Sequence, residues 1–206
     1  YFESFGEFIE TLGGRYVTAV DSGTGTADMD CIARHTGHAR GLSPEYGGGG
    51  DPSPFTARGV RKAMEVAVNR VLGRSGLEGV HVAIQGAGHV GYALARELHA
   101  LGARLTITDH NAANLERCHD EFGADTETLD GIFGVECDVF APCALGGVIN
   151  DQTIGRLRTA IIAGAAIDAR SVGLHRGDTC VGEIARQIDK MANLAKDAAA
   201  AFVPVL

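Results

Sequence analysis

The segment from Val80 to Asp109 constrains the fold of this chain more than any other. It contains a short apolar run, the glycine pattern Gly86-x-Gly88-x-x-Gly91, a helical pattern and a second apolar run that ends in an acid. A strand, a glycine-rich turn and a helix in that order are typical of a dinucleotide-binding turn. The flanking pattern matters, because 29 glycines in 206 residues produce such spacings by accident. The alternative is an ordinary strand-turn-helix that binds no ligand.

Each glycine of the pattern has a separate physical role. Gly86 allows a sharp bend, Gly88 lets a pyrophosphate approach the backbone, and Gly91 lets the helix pack closely against the strand. The unpaired N–H groups at the start of the predicted helix, 89–101, attract phosphates. We therefore predict coenzyme contacts along the whole turn, at Gly86, Ala87, Gly88, His89, Val90 and Gly91.

Asp109 supports a specific coenzyme. It ends the second apolar run, 105–108, about twenty residues after the glycines. A carboxylate there accepts hydrogen bonds from both ribose hydroxyls and repels a 2′-phosphate. The sequence therefore predicts NAD rather than NADP.

Composition limits the class of partner. The net charge is −8, with a sequence pI near 5.4, and the basic residues are scattered. This pattern argues against nucleic acid or an anionic membrane as a partner. No apolar run approaches the length of a membrane span, and the first residues lack a basic region followed by an apolar core. We expect a cytoplasmic protein with a small-molecule substrate.

The cysteines do not suggest a metal site. Five cysteines are widely spread, without a CxxC pair or a histidine at ligand spacing, namely Cys31, Cys118, Cys137, Cys143 and Cys180. We expect reduced, mostly buried thiols and no structural zinc.

The order of predicted elements indicates an α/β protein. We predict a helix over 5–12, a strand over 16–19, a helix capped by Thr26, and a helix from Thr56 to about 72. After Asp109 we predict helices over 111–122, 128–133 and 151–156 and strands over 138–142 and 160–164. Alternating strands and helices predict a parallel sheet covered on both faces, with ligands beyond the carboxyl ends of the strands.

The chain divides at the loop 47–54, which is rich in glycine and proline. We predict a Rossmann-like parallel-sheet domain over 51–166, preceded by part of a second α/β catalytic domain over 1–50. A C-terminal segment, 167–206, is predicted to pack back on the domains. An amphipathic helix over about 179–201 is expected there, docked on this chain or on a sister subunit rather than forming a coiled coil.

Asp21 is the candidate proton carrier. It comes just after the predicted strand 16–19 and precedes a glycine turn, so its carboxylate can project into a cleft. An aspartate that caps a turn has the same local sequence, and the residues alone leave both interpretations open.

Several longer strings resemble the glutamate/leucine/phenylalanine/valine dehydrogenases. The resemblance runs from near residue 3 to Ala166, and GDPSPFTARGV is more similar to the leucine branch than to the phenylalanine branch. The strings are GGRYVTAVDSGT, TADMD, GDPSPFTARGV, VAIQGAGHVGYALARELHALGA, CDVFAPCALGGVIN and IIAGAA.

The resemblance implies NAD-dependent oxidative deamination of an L-amino acid, leucine or another branched-chain one, to the 2-oxo acid and ammonia. Asp21 matches the family's catalytic aspartate, and Thr56 matches a Ser/Thr that contacts the nicotinamide carboxamide. The loop that lines the coenzyme is matched by Cys143, Ala144 and Leu145. The family forms symmetric assemblies, which implies a homo-oligomer.

Two departures from the family pattern leave alternatives open. The family's two catalytic lysines have no counterpart before Asp21, since the lysines here are Lys62, Lys190 and Lys196. After Ala166 an expected stretch is absent, so we predict that Ala166 and Ile167 are not peptide neighbours in the intact protein. The alternatives are a phenylalanine or valine dehydrogenase, or a non-catalytic NAD-binding or assembly protein if the 206 residues are complete.

Overall fold

The computed structural model describes residues 1–166, which form two units. One is Tyr1–Thr56 and the other begins at Ala57. The helix predicted over 179–201 and the junction after Ala166 lie outside the described residues.

The first unit is built from two short helices. They are α1, Phe2–Thr11, and α2, Thr26–Ala33, followed by a 3-10 turn, Pro44–Tyr46. The helices approach closely at Gly6, where a Cβ atom would lie 2.7 Å from the carbonyl oxygen of Ile32. Around this contact, Met29, Ile32 and Ala39 form a small buried core.

Two predictions in this unit are wrong. The strand 16–19 does not form, since the segment makes one isolated parallel bridge, between Thr18 and Ala39. Thr26 is the first residue of α2 rather than its cap. Gly25 is the N-cap, and its N–H donates to the Asp28 carboxylate at 2.8 Å, which satisfies the helix start instead.

The second unit contains a five-stranded parallel sheet. Its strands are β1, His81–Gln85, β2, Arg104–Thr108, β3, Asp125–Thr126, β4, Val139–Pro142, and β5, Ile161–Ile162. Its long helices are α3, Ser53–Leu72, which begins in the first unit, α4, His89–Ala100, and α5, Ala112–Phe122. Two 3-10 turns, Gly131–Gly134 and Ile154–Arg156, complete the order.

The strand order is β3-β2-β1-β4-β5, with every pair parallel. This order confirms the predicted α/β class with a Rossmann-like sheet. Strand β1 lies between β2 and β4. The connection after β1 leads to β2 on one side, and the chain later returns to β4 on the other side, so the connections diverge at the carboxyl end of β1. Ligands in such sheets bind at this switch point.

Alternating side chains of the strands enter two separate cores. Val82 and Ile84 pack with residues of α3 and α4 in the larger core, while Ala83 packs with Phe140 in the smaller one. These residues are fully or almost fully buried. Burial on both faces holds β1 rigidly, and β1 delivers the glycine turn.

The predicted helix 151–156 is wrong as an α-helix. Side chains there compete for the backbone: Asn150 Oδ1 accepts from the Gln152 N–H at 2.9 Å, and Thr153 Oγ1 accepts from the Asn150 N–H at 3.0 Å. One 3-10 turn remains. The predicted helix 128–133 likewise reduces to the 3-10 turn Gly131–Gly134, and the short edge strand β3 has no counterpart among the predicted elements.

Candidate functional site

Gly86 makes the bend that ends β1. Its φ is +99°, in the region that favours glycine. A Cβ atom there would also lie 2.7 Å from the backbone nitrogen of Ala144, in the loop after β4. Conformation and space therefore both exclude a side chain, and the two loops of the switch point meet at this residue.

Gly91 and Gly88 differ in what surrounds them. A Cβ atom on Gly91 would lie 1.8 Å from the carbonyl oxygen of Gly86, so the first turn of α4 rests directly on the glycine turn. A Cβ atom on Gly88 would meet nothing within 4 Å. The open space at Gly88 is where a ligand can approach the backbone.

The start of α4 supplies hydrogen-bond donors at this opening. Gly88 is the N-cap and has no side chain to satisfy the first N–H groups, and the backbone ladder begins with Tyr92 N–H donating to Gly88 O at 2.9 Å. His89, Val90 and Gly91 occupy the turn whose N–H groups have no acceptor within the helix. Unpaired N–H groups and the helix dipole suit a pyrophosphate. These residues fit a dinucleotide.

Asp109 lies directly after β2 and reaches the glycine turn. Its Oδ2 accepts from the Ala87 N–H at 2.6 Å, and its Oδ1 accepts from the Asn111 N–H at 2.8 Å. The side chain is 5% exposed. The sequence does not predict the bond to Ala87, because no pattern within the chain pairs a carboxylate with a backbone N–H 22 residues away.

The loop after β4 forms the other wall of the switch point. Cys143 N–H donates to Gln85 O at 2.7 Å, which holds the loop beside the end of β1. Burial raises the pKa of the Cys143 thiol to about 11, so the thiol stays protonated at neutral pH. Leu145 is 73% exposed. The structure thus brings Cys143 and Ala144 beside the glycine turn, with Leu145 on the outer side of the same loop.

Two buried polar atoms at the same edge are not anticipated by the sequence. Gln85 Oε1 and Thr108 Oγ1 have no hydrogen-bond partner within residues 1–166. The two residues are paired in register at the ends of β1 and β2, one position before Gly86 and Asp109. Neither residue belongs to a motif, so the sequence gives no signal for these two atoms.

Asp21 lies in the first unit, in a tight turn. The Thr24 N–H donates to Asp21 O at 3.0 Å, Gly23 has φ +82°, and the Ser22 N–H donates to Asp21 Oδ1 at 2.7 Å. Asp21 is exposed. The aspartate does hold a turn, as the alternative interpretation requires, while Oδ2 carries no hydrogen bond to residues 1–166.

Thr56 ends the first unit, in the first turns of α3. It is exposed, and its hydroxyl donates to Pro52 O at 3.3 Å. Asp21 and Thr56 thus belong to one unit, and the glycine turn, Asp109 and the loop after β4 belong to the other.

A cavity of about 480 Å³ lies at the opposite edge of the sheet. It is lined at the amino ends of the strands by both acidic and basic residues, including His81, Arg104, Glu136 and Arg158. Because ligands in parallel sheets bind at the carboxyl ends, the glycine turn remains the candidate site.

Residues 1–166 contain no cluster of three or more side chains suited to hold a metal ion. Cys31, Cys118, Cys137 and Cys143 are free thiols. In the same part of the chain, no helix combines the length and apolar character needed to cross a membrane.

Comparisons with known proteins match this chain to amino acid dehydrogenases. A sequence model of the glutamate/leucine/phenylalanine/valine dehydrogenase family matches residues 47–129. The chain is 52% identical over 165 residues to a leucine dehydrogenase of Geobacillus stearothermophilus, covering 80% of this chain and 45% of the relative. It is 42% identical over 167 residues to a valine dehydrogenase of Streptomyces albus, and the match covers 79% of this chain and 46% of that relative. The chain thus spans about half the length of the curated relatives it matches.

A solved structure matches in three dimensions. The crystal structure of L-tryptophan dehydrogenase from Nostoc punctiforme has a TM-score of 0.63 and 30% sequence identity, over 91% of this chain and 51% of the other. The match extends the sequence similarity to the fold.

Proposed function

Because this chain belongs to the glutamate/leucine/phenylalanine/valine dehydrogenase family, we propose that the full-length protein is an NAD-dependent L-amino acid dehydrogenase. The proposed reaction is oxidative deamination of leucine and other branched-chain amino acids to the 2-oxo acid, ammonia and NADH. The observation that carries the proposal is the glycine turn, with open space at Gly88 and the Asp109 carboxylate beside it, in a chain 52% identical to a leucine dehydrogenase.

The second unit holds the coenzyme. In this proposal the N–H groups at the start of α4 bind the pyrophosphate, and Gly88 leaves room for it. Asp109 places negative charge at the end of β2, which favours ribose hydroxyls over a 2′-phosphate and so favours NAD. Cys143, Ala144 and Leu145 line the nicotinamide side, and Thr56 contacts the carboxamide.

Asp21 carries protons in the reaction. NAD, when bound, accepts the hydride that leaves Cα of the amino acid. Loss of the hydride leaves an imine, water adds to the imine carbon, and the C–N bond then breaks. Asp21 takes a proton from the water and gives it to the substrate nitrogen, which leaves as ammonia. The turn supports this role, because the Ser22 N–H fixes Oδ1 and leaves Oδ2 for the proton.

The wider organisation follows from the same proposal. In this proposal, residues 1–50 belong to the catalytic and substrate domain and residues 51–166 to the NAD-binding domain. We propose a homo-oligomer in the cytoplasm. The free thiols among residues 1–166 fit a reducing compartment.

The test is a direct assay. Purified full-length protein is incubated with NAD⁺ and L-leucine at alkaline pH, and NADH formation is followed by absorbance. We expect reduction of NAD⁺ with leucine and slower reduction with NADP⁺. Failure with every aliphatic and aromatic amino acid would refute the dehydrogenase proposal, and binding of NAD⁺ without turnover would favour a non-catalytic NAD-binding protein.

A second substrate class has support of its own. The 42% identity to a valine dehydrogenase and the structural match to an L-tryptophan dehydrogenase make valine and aromatic amino acids the competing substrates. The same assay with L-valine, L-phenylalanine and L-tryptophan ranks them.

A further inference from the structure

The Asp109 carboxylate accepts hydrogen bonds from three groups of its own chain. Oδ2 accepts from Ala87 N–H at 2.6 Å, and Oδ1 accepts from Asn111 N–H at 2.8 Å and from Asn114 Nδ2 at 3.4 Å. The side chain is 5% exposed. A carboxylate whose only task was to meet ribose hydroxyls would need neither this burial nor these partners.

The bond to Ala87 joins two segments that are distant in sequence. Ala87 lies inside the glycine turn, between the bend at Gly86 and the N-cap at Gly88. The neighbouring Gly86 N–H donates to Thr108 O at 2.8 Å, which is a backbone bond and continues the sheet. Asp109 therefore provides the side-chain bond that holds the turn beyond the end of the strand, and a charged acceptor makes that bond strong.

We infer that Asp109 is a positioning residue for the glycine turn, in addition to any contact it makes with coenzyme. Its carboxylate fixes the turn against the start of α5 before the coenzyme arrives. This inference does not require the proposed reaction, but its consequence for coenzyme preference rests on the proposed NAD site. When Asp109 alone is replaced, we expect the loss of the ordered turn to outweigh the relief of charge repulsion toward a 2′-phosphate. Affinity for NAD⁺ and NADP⁺ then falls together, and one preference is not converted into the other.

Two substitutions and one control test whether Asp109 positions the glycine turn or only contacts the coenzyme. Asp109→Asn keeps the shape, but its amide nitrogen is a donor and must face one of the two N–H groups. Asp109→Ser is too short to reach Ala87. The control is His110→Ala, because the His110 ring is 87% exposed and lies 3.4 Å from Asp109 Oδ1, so its removal leaves the carboxylate and its backbone bonds in place.

The measurement is amide hydrogen exchange in the coenzyme-free full-length protein. We expect exchange at the Ala87 N–H to be about tenfold faster in Asp109→Asn, and faster again in Asp109→Ser, because a hydrogen bond to a charged group is lost. Exchange at Ile84, in the centre of the sheet, is the internal reference and should not change in Asp109→Asn. His110→Ala should leave both amides as in the parent protein.

Coenzyme titrations complete the experiment. We expect the dissociation constants for NAD⁺ and NADP⁺ to rise together in both Asp109 variants, and the loss of activity to fall on KM for coenzyme rather than on kcat. The inference is overturned if Ala87 exchange is unchanged, if Ala87 and Ile84 accelerate equally in Asp109→Asn, or if NADP⁺ binding improves. Faster Ala87 exchange in a protein without amino acid dehydrogenase activity would support the inference and reject the proposed function.

Discussion

At the scale of single residues, Gly88 and Gly91 have different roles, although they lie three positions apart. Gly91 is required by the fold, since its Cβ would lie 1.8 Å from Gly86 O, whereas the space beside Gly88 is open. Gly91→Ala should lower the free energy of unfolding by about 1–3 kcal/mol or more, because the backbone must move. Gly88→Ala should change it by less than about 1 kcal/mol, since φ −69° suits alanine.

Substitutions at the same two glycines distinguish effects on stability from effects on coenzyme binding. We expect Gly88→Ala to weaken NAD⁺ binding severely while its urea denaturation curve stays near that of the parent protein, because the added methyl occupies the space where a pyrophosphate approaches. Equal loss of stability in the two variants would contradict this division of roles. Urea denaturation and NAD⁺ titration on each variant are the measurements.

Asp21 can be tested without disturbing its turn. In Asp21→Asn the amide oxygen still accepts the Ser22 N–H, but the side chain no longer carries a proton. We expect kcat for leucine oxidation to fall by about 10²–10⁴-fold, which is the usual contribution of a general acid or base. The dissociation constant for NAD⁺ should not change, and Ser22→Ala is the control. A variant with near-parental kcat would show that Asp21 forms the turn and takes no part in proton transfer.

His81 makes stability depend on pH. It is 8% exposed, and one ring nitrogen lies 2.8 Å from Thr106 Oγ1. Burial is the main cause that lowers the pKa of His81 from its ordinary value of 6.5, with nearby Arg104 adding to the effect. The unfolded chain therefore binds more protons near and below pH 6.5, so stability falls as the pH is lowered through that value.

Thermal or urea denaturation between about pH 5 and about pH 8 checks this expectation. His81→Gln should flatten the acid side of the stability profile. A parent profile that is flat or rises toward acid pH would contradict the assignment to His81.

At the scale of elements, the sequence predicts periodic segments well where they lie next to strong signals. Helix α4 and strand β2 fall within a residue of their predicted bounds, because a glycine turn precedes the helix and a glycine follows it. The failures are short segments whose state depends on partners. Residues 16–19 have strand-like composition but form only one isolated bridge among residues 1–166. Strand β3 has two residues and forms because they pair with the edge of β2. No local pattern carries that information.

Helices α3 and α4 are joined by an ion-pair network centred on Glu97. Its carboxylate accepts from Arg61 Nε at 2.6 Å and lies 3.5 Å from Arg58 Nε. The Arg61 and Glu97 side chains are 13% and 19% exposed. Glu97→Ala should lower the free energy of unfolding by about 1–2 kcal/mol, because the mostly buried Arg61 guanidinium loses one of its two carboxylate acceptors and keeps Glu65 as the other.

The matched control is Lys62→Ala on the same helix. Lys62 Nζ lies 3.1 Å from Glu65, and its side chain is 65% exposed, so solvent screens the pair. We expect a change of at most about 0.5–1 kcal/mol. Urea denaturation of the two variants measures the difference, and equal effects would show that burial does not determine the value of these pairs.

At the scale of the whole molecule, the sequence predicts the geometry of the glycine turn more fully than that of the turn at Asp21. Glycine spacing is a local signal, so the bend at Gly86, the open space at Gly88 and the close packing at Gly91 follow from the order of residues alone. The contact from Asp109 to Ala87 and the approach of Ala144 to Gly86 are tertiary and depend on the sheet order. Asp21 remains a prediction, because its role depends on groups outside its own turn.

The relative activity of the full-length protein with leucine and valine tests how its substrate pocket discriminates between apolar side chains. The two substrates differ by one methylene, and burying one methylene discriminates by about 1–3 kcal/mol, or about 10–200-fold in kcat/KM. We therefore expect activity with both, leucine being preferred. The measurement is kcat/KM for L-leucine, L-isoleucine and L-valine with the full-length protein and NAD⁺ at one pH. A ratio of leucine to valine far above that range would require a feature that actively excludes valine, since an apolar pocket alone does not reject a smaller side chain so strongly.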